Sequence, residues 1–233
     1  SKPEADLSGE LGSYADEIIE KVKMAAGARV HSRPKVASKP MTITSVQSAD
    51  AVINKSTSKA HFRTTEKIVA LGASTGGTEA TMHVLSGLPS SFPAIIICQH
   101  LPGAFSESYA QRLDRTSAMS VKVAEDREQI IPGHVYLAPG DKHLLVKRDG
   151  ARYICSLKDG PAVNRHKPSV DVLFRSVAQN VGPNALGVLL TGMGADGADG
   201  MKEMLDAGAA TIAQDEASSV VWGMPGEAFK RGA

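Results

Sequence analysis

The chain has 233 residues, of which 42% are hydrophobic and 22% are charged, and its formal net charge is +1. These values are typical of a globular protein with a sizeable core, and so small a charge gives no electrostatic basis for binding a nucleic acid. No apolar run approaches the roughly 20 residues that a membrane-spanning helix needs. Cys98 and Cys155 both lie in apolar runs, which argues against a disulfide framework and favours buried thiols in a reducing cytoplasm.

Residues 1–65 are predicted to form a linker region that contains one amphipathic helix at about residues 11–28. Apolar side chains recur there every four residues, as expected for one face of a helix. They are Tyr14, Ile18, Val22 and Ala26. Residues 29–65 mix serine, threonine, lysine and proline with single hydrophobic residues and no sustained period, which is typical of a flexible linker. We therefore expect the folded domain to cover residues 66–233.

From residue 66 onward, apolar strands alternate with amphipathic helices. The predicted strands are 67–73, 94–99, 121–124, 134–139, 143–148, 152–157, 185–192 and 210–214, and the predicted helices are 75–86, 104–115, 169–180 and 197–206. Strands that are apolar throughout indicate burial on both faces of a parallel sheet. The strands between Val135 and Leu157 follow one another too closely for helical crossovers, so they are predicted to form an antiparallel hairpin insertion. The fold class is a doubly wound, mostly parallel α/β domain of the Rossmann-like type.

Polar residues follow three of these strands, at the edge where open parallel sheets bind ligands. Ser74 follows the first strand, His100 follows the second, and the strand 185–192 leads into a loop that contains Asp196. Ser74 also fits the pattern Gly-x-Ser-x-Gly in a strand-turn-helix context, where small neighbours let the chain turn sharply and expose the hydroxyl.

A serine becomes a nucleophile at neutral pH when a base takes its proton and a carboxylate orients that base. We therefore assign Ser74 as the nucleophile, His100 as the base and Asp196 as the orienting acid. The backbone amides of Thr75 and Met193 are predicted to form the oxyanion hole. The chain order serine, histidine, aspartate differs from that of α/β-hydrolases, so that family is not supported.

Each of these residues also has a simpler interpretation. Ser74 can be an N-cap of the helix that follows it, Asp196 can cap the next helix, and His100 can be a polar loop residue. His166 precedes another predicted helix, and its loop faces either the site or solvent. The residue pattern therefore leaves open a purely regulatory or nucleotide-binding module, or a docking protein without catalysis.

No cofactor and no metal ion are predicted. Asp196 and Asp199 are three positions apart, but no histidine or cysteine pair at ligand spacing accompanies them. The stretch GASTGG has Ser74 where a dinucleotide-binding loop has its second glycine, and no Walker lysine follows it.

Six segments resemble the chemotaxis response-regulator protein-glutamate methylesterase family and cover most of residues 67–229 in order. They are IVALGASTGGTEA, QHLPGAFSESYAQRL, VYLAPGDKHLLV, DGPAVNRHKPSVDVLFRSVA, LLTGMGADGADGM and TIAQDEASSVVWGMPGEA. The resemblance implies a cytoplasmic serine hydrolase that removes methyl groups from glutamate γ-methyl esters on chemoreceptors and releases methanol, with glutamine deamidation in many members. It carries the same roles over to Ser74, His100 and Asp196, with Thr75 and Met193 at the oxyanion site.

The resemblance also implies partners. These are the methylated cytoplasmic helices of chemoreceptors and, in the longer family members, an N-terminal receiver domain that a chemotaxis histidine kinase phosphorylates. No receiver-like stretch precedes the helix at 11–28, so we expect a catalytic fragment whose activity is constitutive. Family members also continue beyond GMPGEAFKRGA with a further strand and helix, which puts the completeness of the sheet edge in question. Neither nucleic acid nor membrane insertion is expected.

Overall fold

The computed structural model describes residues 15–27, 46–56 and 66–233. These residues belong to two compact units. The first contains helix α1 (Ala15–Gly27), which lies within the predicted helical range. Val22, one of the periodic apolar residues, is exposed on this helix. The second unit contains all the other described residues, including the three candidate site residues.

The second unit is built on a parallel sheet. Its strands, in chain order, are β1 (Ile68–Ala73), β2 (Ala94–Gln99), β3 (Ser120–Val123), β4 (His134–Leu137), β5 (His143–Asp149), β6 (Arg152–Lys158), β7 (Ala185–Leu189) and β8 (Ala210–Ala213), and its helices are α2 (Gly77–Ser86), α3 (Ser106–Thr116), α4 (Val170–Asn180), α5 (Ala198–Asp206) and α6 (Met224–Lys230). Six strands pair in the order β3-β4-β2-β1-β7-β8, all parallel, and β5 pairs with β6 in an antiparallel hairpin. The predicted doubly wound fold with a hairpin insertion is confirmed.

Both faces of the sheet are covered, which explains why its central strands are apolar throughout. Because successive side chains of a strand point to opposite faces, β1 divides its residues between two cores. Val69 and Leu71 belong to one apolar cluster together with residues of α2 and α3. Ile68 and Ala70 belong to the other, together with residues of α4, α5 and the β5–β6 hairpin.

One strand lies elsewhere than predicted. The sequence spacing assigned the strands from Val135 onward to the antiparallel insertion, but β4 pairs in parallel with both β2 and β3 inside the main sheet. The reason is burial on both faces: Val135 and Leu137 pack in the α2–α3 core, while Tyr136 packs in the opposite one. The connection from β3 to β4 returns the chain without a helix.

A short helix, α6, was not predicted. It begins one residue before Pro225 and continues through Gly226, both poor residues for a helix interior. Proline is favoured in the first turn of a helix, which is the signal that could have located this one. None of the described helices is long and apolar enough to cross a membrane.

Residues 46–56, which the sequence assigns to the linker region, belong to the second unit and pack against its α4 helix and β5–β6 hairpin. Ala49 and Val52 are buried in a small apolar cluster with Leu145, Val163 and Val172. Polar contacts reinforce this docking. Arg175 of α4 donates to Asp50 at 2.7 Å and to the carbonyl of Ile53 at 3.1 Å, and Gln179 donates to the carbonyl of Asn54. The division of the chain at residue 65 stays a prediction, but this segment is part of the folded unit.

Candidate active site

The three candidate residues lie at the carboxyl ends of three adjacent strands. The strand order reverses at β1, because the chain builds one half of the sheet through β2 and the other half through β7. Ser74 follows β1, His100 follows β2, and Asp196 lies in the loop after β7. A reversal of this kind opens a crevice at the sheet edge, which is where such folds bind ligands.

Ser74 lies in a sharp turn that its backbone contacts hold in place. Its amide donates to the carbonyl of Thr191 at 3.0 Å, and its carbonyl accepts from Gly77 at 2.8 Å and from the side chain of Gln99 at 2.9 Å. Gly192 packs closely on it: a Cβ at that position would lie 2.9 Å from the Cβ of Ser74. The chain can therefore approach the serine this closely because position 192 has no side chain.

The interpretation of Ser74 as an N-cap is wrong. Helix α2 begins at Gly77, two residues later than the sequence predicted, and its N-cap is Gly76 with φ +79°. A left-handed backbone of this kind favours glycine. Ser74 thus precedes the cap and makes no side-chain capping bond to the helix.

His100 lies beside Ser74. Ala73 pairs with Gln99 in the parallel ladder, and the amide of His100 donates to the carbonyl of Ala73 at 3.1 Å. Ser74 and His100 therefore leave the sheet side by side. The side chain of His100 is only 8% exposed, so it is not a solvated loop residue.

The ring of His100 contacts Asp196 through Nε2, which lies 2.8 Å from Oδ2 of the carboxylate. An ionised carboxylate can only accept, so Nε2 must carry the proton and Nδ1 must carry the lone pair. Nδ1 is buried and has no hydrogen-bond partner among the described residues. This tautomer leaves Nδ1 available as a base. In chymotrypsin the roles are reversed, because there Nε2 is the base and Nδ1 donates to the aspartate.

Asp196 is fully buried and hydrogen-bonded on both oxygens. Besides His100, its donors are the side chains of Asn164 and Ser169 and the backbone amides of Val170 and Asp171. The last two belong to the first turn of α4, where the helix dipole favours a negative charge. Burial by itself would raise the pKa of Asp196, but the hydrogen bonds that it accepts from His100, Asn164 and Ser169 hold the pKa below its ordinary value.

The interpretation of Asp196 as a cap for the next helix is also wrong. Asp196 precedes α5 but accepts from α4, whereas Asp171, in the first turn of α4, accepts from Gly197 at 3.0 Å and Gly200 at 2.7 Å at the start of α5. The two helices thus exchange capping carboxylates. Burial, followed by the charge of Asp196, raises the pKa of Asp171 to about 7.

Sequence reasoning did not include Asn164, Ser169 or Asp171 in the site. Ser169 is the N-cap of α4 by position, but its hydroxyl donates to Asp196 at 2.8 Å instead of capping the helix. The side chain of Asn164 donates to both carboxylates. Their signal in the sequence is the stretch NRHKPSVD, which puts five polar side chains directly before α4 and an aspartate in its first turn.

His166 faces the site and not solvent. Its ring stacks on that of His100, with the ring centroids 3.7 Å apart and the planes 5° apart. Its Nδ1 is buried without a hydrogen-bond partner in the part of the chain that the structure describes. Burial and then the neighbouring His100 lower the pKa of His166, so the neutral ring is favoured.

The predicted oxyanion donors are the chain neighbours of Ser74 and of Gly192, which packs on Ser74. Thr75 follows it directly and is exposed, and Met193 follows Gly192 and is 65% exposed. Neither backbone amide donates a hydrogen bond to another described residue. Unpaired amides near a serine hydroxyl can stabilise a negative oxygen, and the assignment of these two to the oxyanion hole stays a prediction.

The remaining histidines and both cysteines lie outside this arrangement. His31 and His61 fall outside the described residues, and His83 is exposed on α2. His143 is buried and donates from Nε2 to the carbonyl of Pro161, so its role is structural. Cys98 and Cys155 are buried free thiols, as predicted.

A metal ion has one possible set of ligands among the described residues. Ligand atoms of His100, His166 and Asp196 lie within 4.8 Å of one another. Both oxygens of Asp196 already accept hydrogen bonds, however, and the stacked imidazoles direct their lone pairs along parallel planes. Ligand lone pairs must converge on an ion, so this arrangement fits a metal site poorly.

Comparisons with known proteins agree on one family. Residues 69–233 match the family model described as CheB methylesterase. The chain is 56% identical over 233 residues to the protein-glutamate methylesterase/protein-glutamine glutaminase 1 of Xanthomonas euvesicatoria pv. vesicatoria, covering all of this chain and 64% of that protein. It is 51% identical over 232 residues to the protein-glutamate methylesterase/protein-glutamine glutaminase of Salmonella typhimurium, covering 100% of this chain and 62% of that one.

A solved structure is similar as well. The crystal structure of the Thermotoga maritima CheB methylesterase catalytic domain superposes with a TM-score of 0.71 at 39% sequence identity, covering 72% of this chain and 90% of that one. The chain thus spans slightly less than two thirds of the length of the two curated relatives, and it corresponds in fold to an isolated domain.

Proposed function

The chain belongs to the CheB methylesterase family, and we propose that it is a serine hydrolase that demethylates glutamate γ-methyl esters on bacterial chemoreceptors. The observation that carries the proposal is the 2.8 Å contact between Nε2 of His100 and Asp196, with Ser74 at the neighbouring strand end. This contact fixes the tautomer that a general base requires. The substrate class follows from the relatives, which are named protein-glutamate methylesterases.

In the first step, the hydroxyl of Ser74 attacks the ester carbonyl while Nδ1 of His100 accepts its proton. The imidazolium that forms is stabilised by the ionised Asp196, to which Nε2–H donates. Ser74 and His100 are not hydrogen-bonded in the described structure, since Nδ1 has no partner. Hydrogen bonds of this kind are often long without substrate and shorten when the ester is bound.

The tetrahedral intermediate places a negative charge on the former carbonyl oxygen. The amides of Thr75 and Met193 are the donors that stabilise this oxygen. When the intermediate collapses, the bond to the methoxy oxygen breaks, His100 returns its proton to that oxygen, and methanol leaves. The products of this half-reaction are methanol and an ester between Ser74 and the receptor glutamate.

A water molecule completes the reaction by the same route. His100 removes its proton, the hydroxide attacks the acyl-enzyme, and the Ser74 oxygen leaves with the proton from His100. The receptor glutamate is released as a carboxylate. If a glutamine side chain enters the site, the same steps release ammonia, and this fits the glutaminase activity in the names of the relatives.

The proposed partner of the site is the methylated cytoplasmic helix region of a chemoreceptor. Thr75 and Met193 are exposed beside the serine, so a side chain on a large folded substrate can reach it from solvent. Since the curated relatives are longer than this chain, a receiver domain and a chemotaxis histidine kinase are proposed as partners of the longer proteins.

The test is release of labelled methanol from receptor that carries labelled methyl groups. We expect release in proportion to the amount of protein added, and none from receptor alone. Calorimetry with nucleotides is run on the same preparation, because a nucleotide-binding module would give heat but no methanol. Binding of receptor without methanol release would overturn the proposal.

A further inference from the structure

The 163–166 turn lies against the acid of the proposed triad. Mutual backbone hydrogen bonds between Val163 and His166 close the turn, and its two central residues are left-handed, with φ +50° at Asn164 and +69° at Arg165. Asparagine tolerates this conformation better than most residues. The turn presents Asn164 to the space between the first turns of α4 and α5.

Asn164 bridges two buried carboxylates with one amide nitrogen. Its Nδ2 lies 2.6 Å from Oδ2 of Asp171 and 2.9 Å from Oδ1 of Asp196. An amide nitrogen carries two protons, so each carboxylate receives one. The side chain therefore holds together two groups that would otherwise repel each other in a region with little water.

The backbone of the turn is fixed from its other side. The amide of Asn164 donates to the carbonyl of Gln47 at 2.9 Å, and Val163 packs in the apolar cluster that holds Val52. Asn164 is thus placed by the docked segment 46–56 and not by local sequence alone. The mechanism as proposed does not use Asn164, because it contacts neither the ester nor His100.

We propose that Asn164 is a positioning residue that holds the carboxylate of Asp196 in the orientation that accepts Nε2–H of His100. This inference rests on the proposed function. Its physical basis is that Asp196 must remain ionised and aligned next to Asp171, and the amide of Asn164 supplies a donor to both. Without that donor, Asp196 loses one of its side-chain hydrogen bonds and the repulsion from Asp171 is no longer offset.

Asn164→Gly is the variant that tests this, since glycine keeps the left-handed backbone and removes only the amide side chain. We expect kcat for methanol release to fall roughly 10- to 100-fold, the range that losing a hydrogen bond to a charged group allows. KM should stay within about twofold, because the amide touches no substrate. Arg165→Gly is the matched control: it makes the same backbone change one residue later and should keep the wild-type kcat.

A second experiment asks whether Asn164 acts through Asp196. In an Asp196→Asn background, Asn164→Gly should lower kcat by less than about twofold further, because residues of one network are not additive. A full additional loss in that background would overturn the proposal. So would a wild-type kcat in Asn164→Gly, or an equal loss in Arg165→Gly.

A third readout does not depend on catalysis. NMR can follow the proton on Nε2 of His100. In Asn164→Gly its resonance should shift or broaden, because the hydrogen bond to Asp196 loosens. If the wild-type protein releases no methanol, the proposed function fails while this measurement still decides the role of Asn164. An unchanged resonance would overturn that role. If Asn164→Gly does not fold, Asn164→Asp keeps the turn preference, replaces the donor by an acceptor, and should change kcat and the resonance at least as much.

Discussion

Nε2 of His100 lies 2.8 Å from Oδ2 of Asp196, although 96 positions separate the two residues along the chain. This contact decides which ring nitrogen is protonated, and through it which nitrogen can act as a base. The carboxylate of Asp196 also accepts hydrogen bonds from two backbone amides in the first turn of α4. The same buried group therefore caps a helix and holds the imidazole for which we propose a catalytic role.

Ser74→Ala should lower methanol release by at least about a thousandfold, since the nucleophile is lost. His100→Ala should cost a similar factor, and the double variant should be little worse than either single one, because the two residues act as a unit. Labelled methanol release measures all three. Ser86→Ala, at the far end of α2, is the control and should keep wild-type release. Near-normal turnover by Ser74→Ala would remove the nucleophile assignment.

Asp196→Asn should lower kcat by roughly a thousand- to ten-thousandfold without abolishing it. An asparagine can present its NH2 group to Nε2, and this favours the tautomer with the proton on Nδ1, which cannot act as a base. The first turn of α4 also loses its carboxylate, so we expect the free energy of unfolding to fall by about 1–2 kcal/mol. Methanol release and chemical denaturation measure the two effects. Asp199→Asn, three residues on and exposed, should change neither by much; equal losses in both variants would contradict this account.

Asp171→Asn should change how stability depends on pH. Burial and the neighbouring Asp196 raise the pKa of Asp171 to about 7, against about 3.9 in an unfolded chain. Between these two pH values Asp171 is protonated in the folded protein and ionised in the unfolded chain. The contribution of this group to the free energy of unfolding therefore decreases as pH rises. We expect the stability of the wild type, relative to the variant, to fall by about 3 kcal/mol from pH 4 to 7.

Chemical denaturation of both proteins at several pH values measures this difference. The lowered pKa of Asp196 acts only below about pH 4, where its contribution is lost as pH falls. Burial lowers the pKa values of His143 and His166, which makes stability rise with pH near 6.5, but both proteins share these groups and the effect cancels. A difference that stays constant across the range would show that Asp171 is ionised throughout.

Val52→Ala should destabilise the domain by about 2 kcal/mol, because the side chain is 95% buried against Leu145, Val163 and Val172 through the docking of segment 46–56. Val46→Ala is the matched control in the same segment, since Val46 is 55% exposed and should cost little. Denaturant unfolding of the two variants provides the comparison. Equal stability would mean that the segment contributes nothing to the folded state.

Much of the fold could be predicted from the sequence, and the sequence also pointed to three residues of the candidate site. The apolar runs of β1, β2 and β7 predicted strands buried on both faces, and Ser74, His100 and Asp196 were found because polar residues follow those strands. These are local patterns: a strand and the turn after it are encoded in a few consecutive residues. Spacing alone misplaced β4, since it cannot show which face of which sheet a short apolar strand will cover.

By itself, the sequence determined which residue types stand at the ends of the strands, and hence which chemistry we propose for this protein. Only the tertiary structure decided which nitrogen of His100 meets Asp196, that Asp171 and Asp196 cap each other's helices, that Asn164 joins them, and that residues 46–56 dock on the same turn. The physical reason is that hydrogen bonds between distant segments depend on strand register and helix packing, which arise when the whole chain folds. The geometry of a turn is encoded in its own few residues, whereas the hydrogen-bond partners of a buried carboxylate come from every element that packs around it.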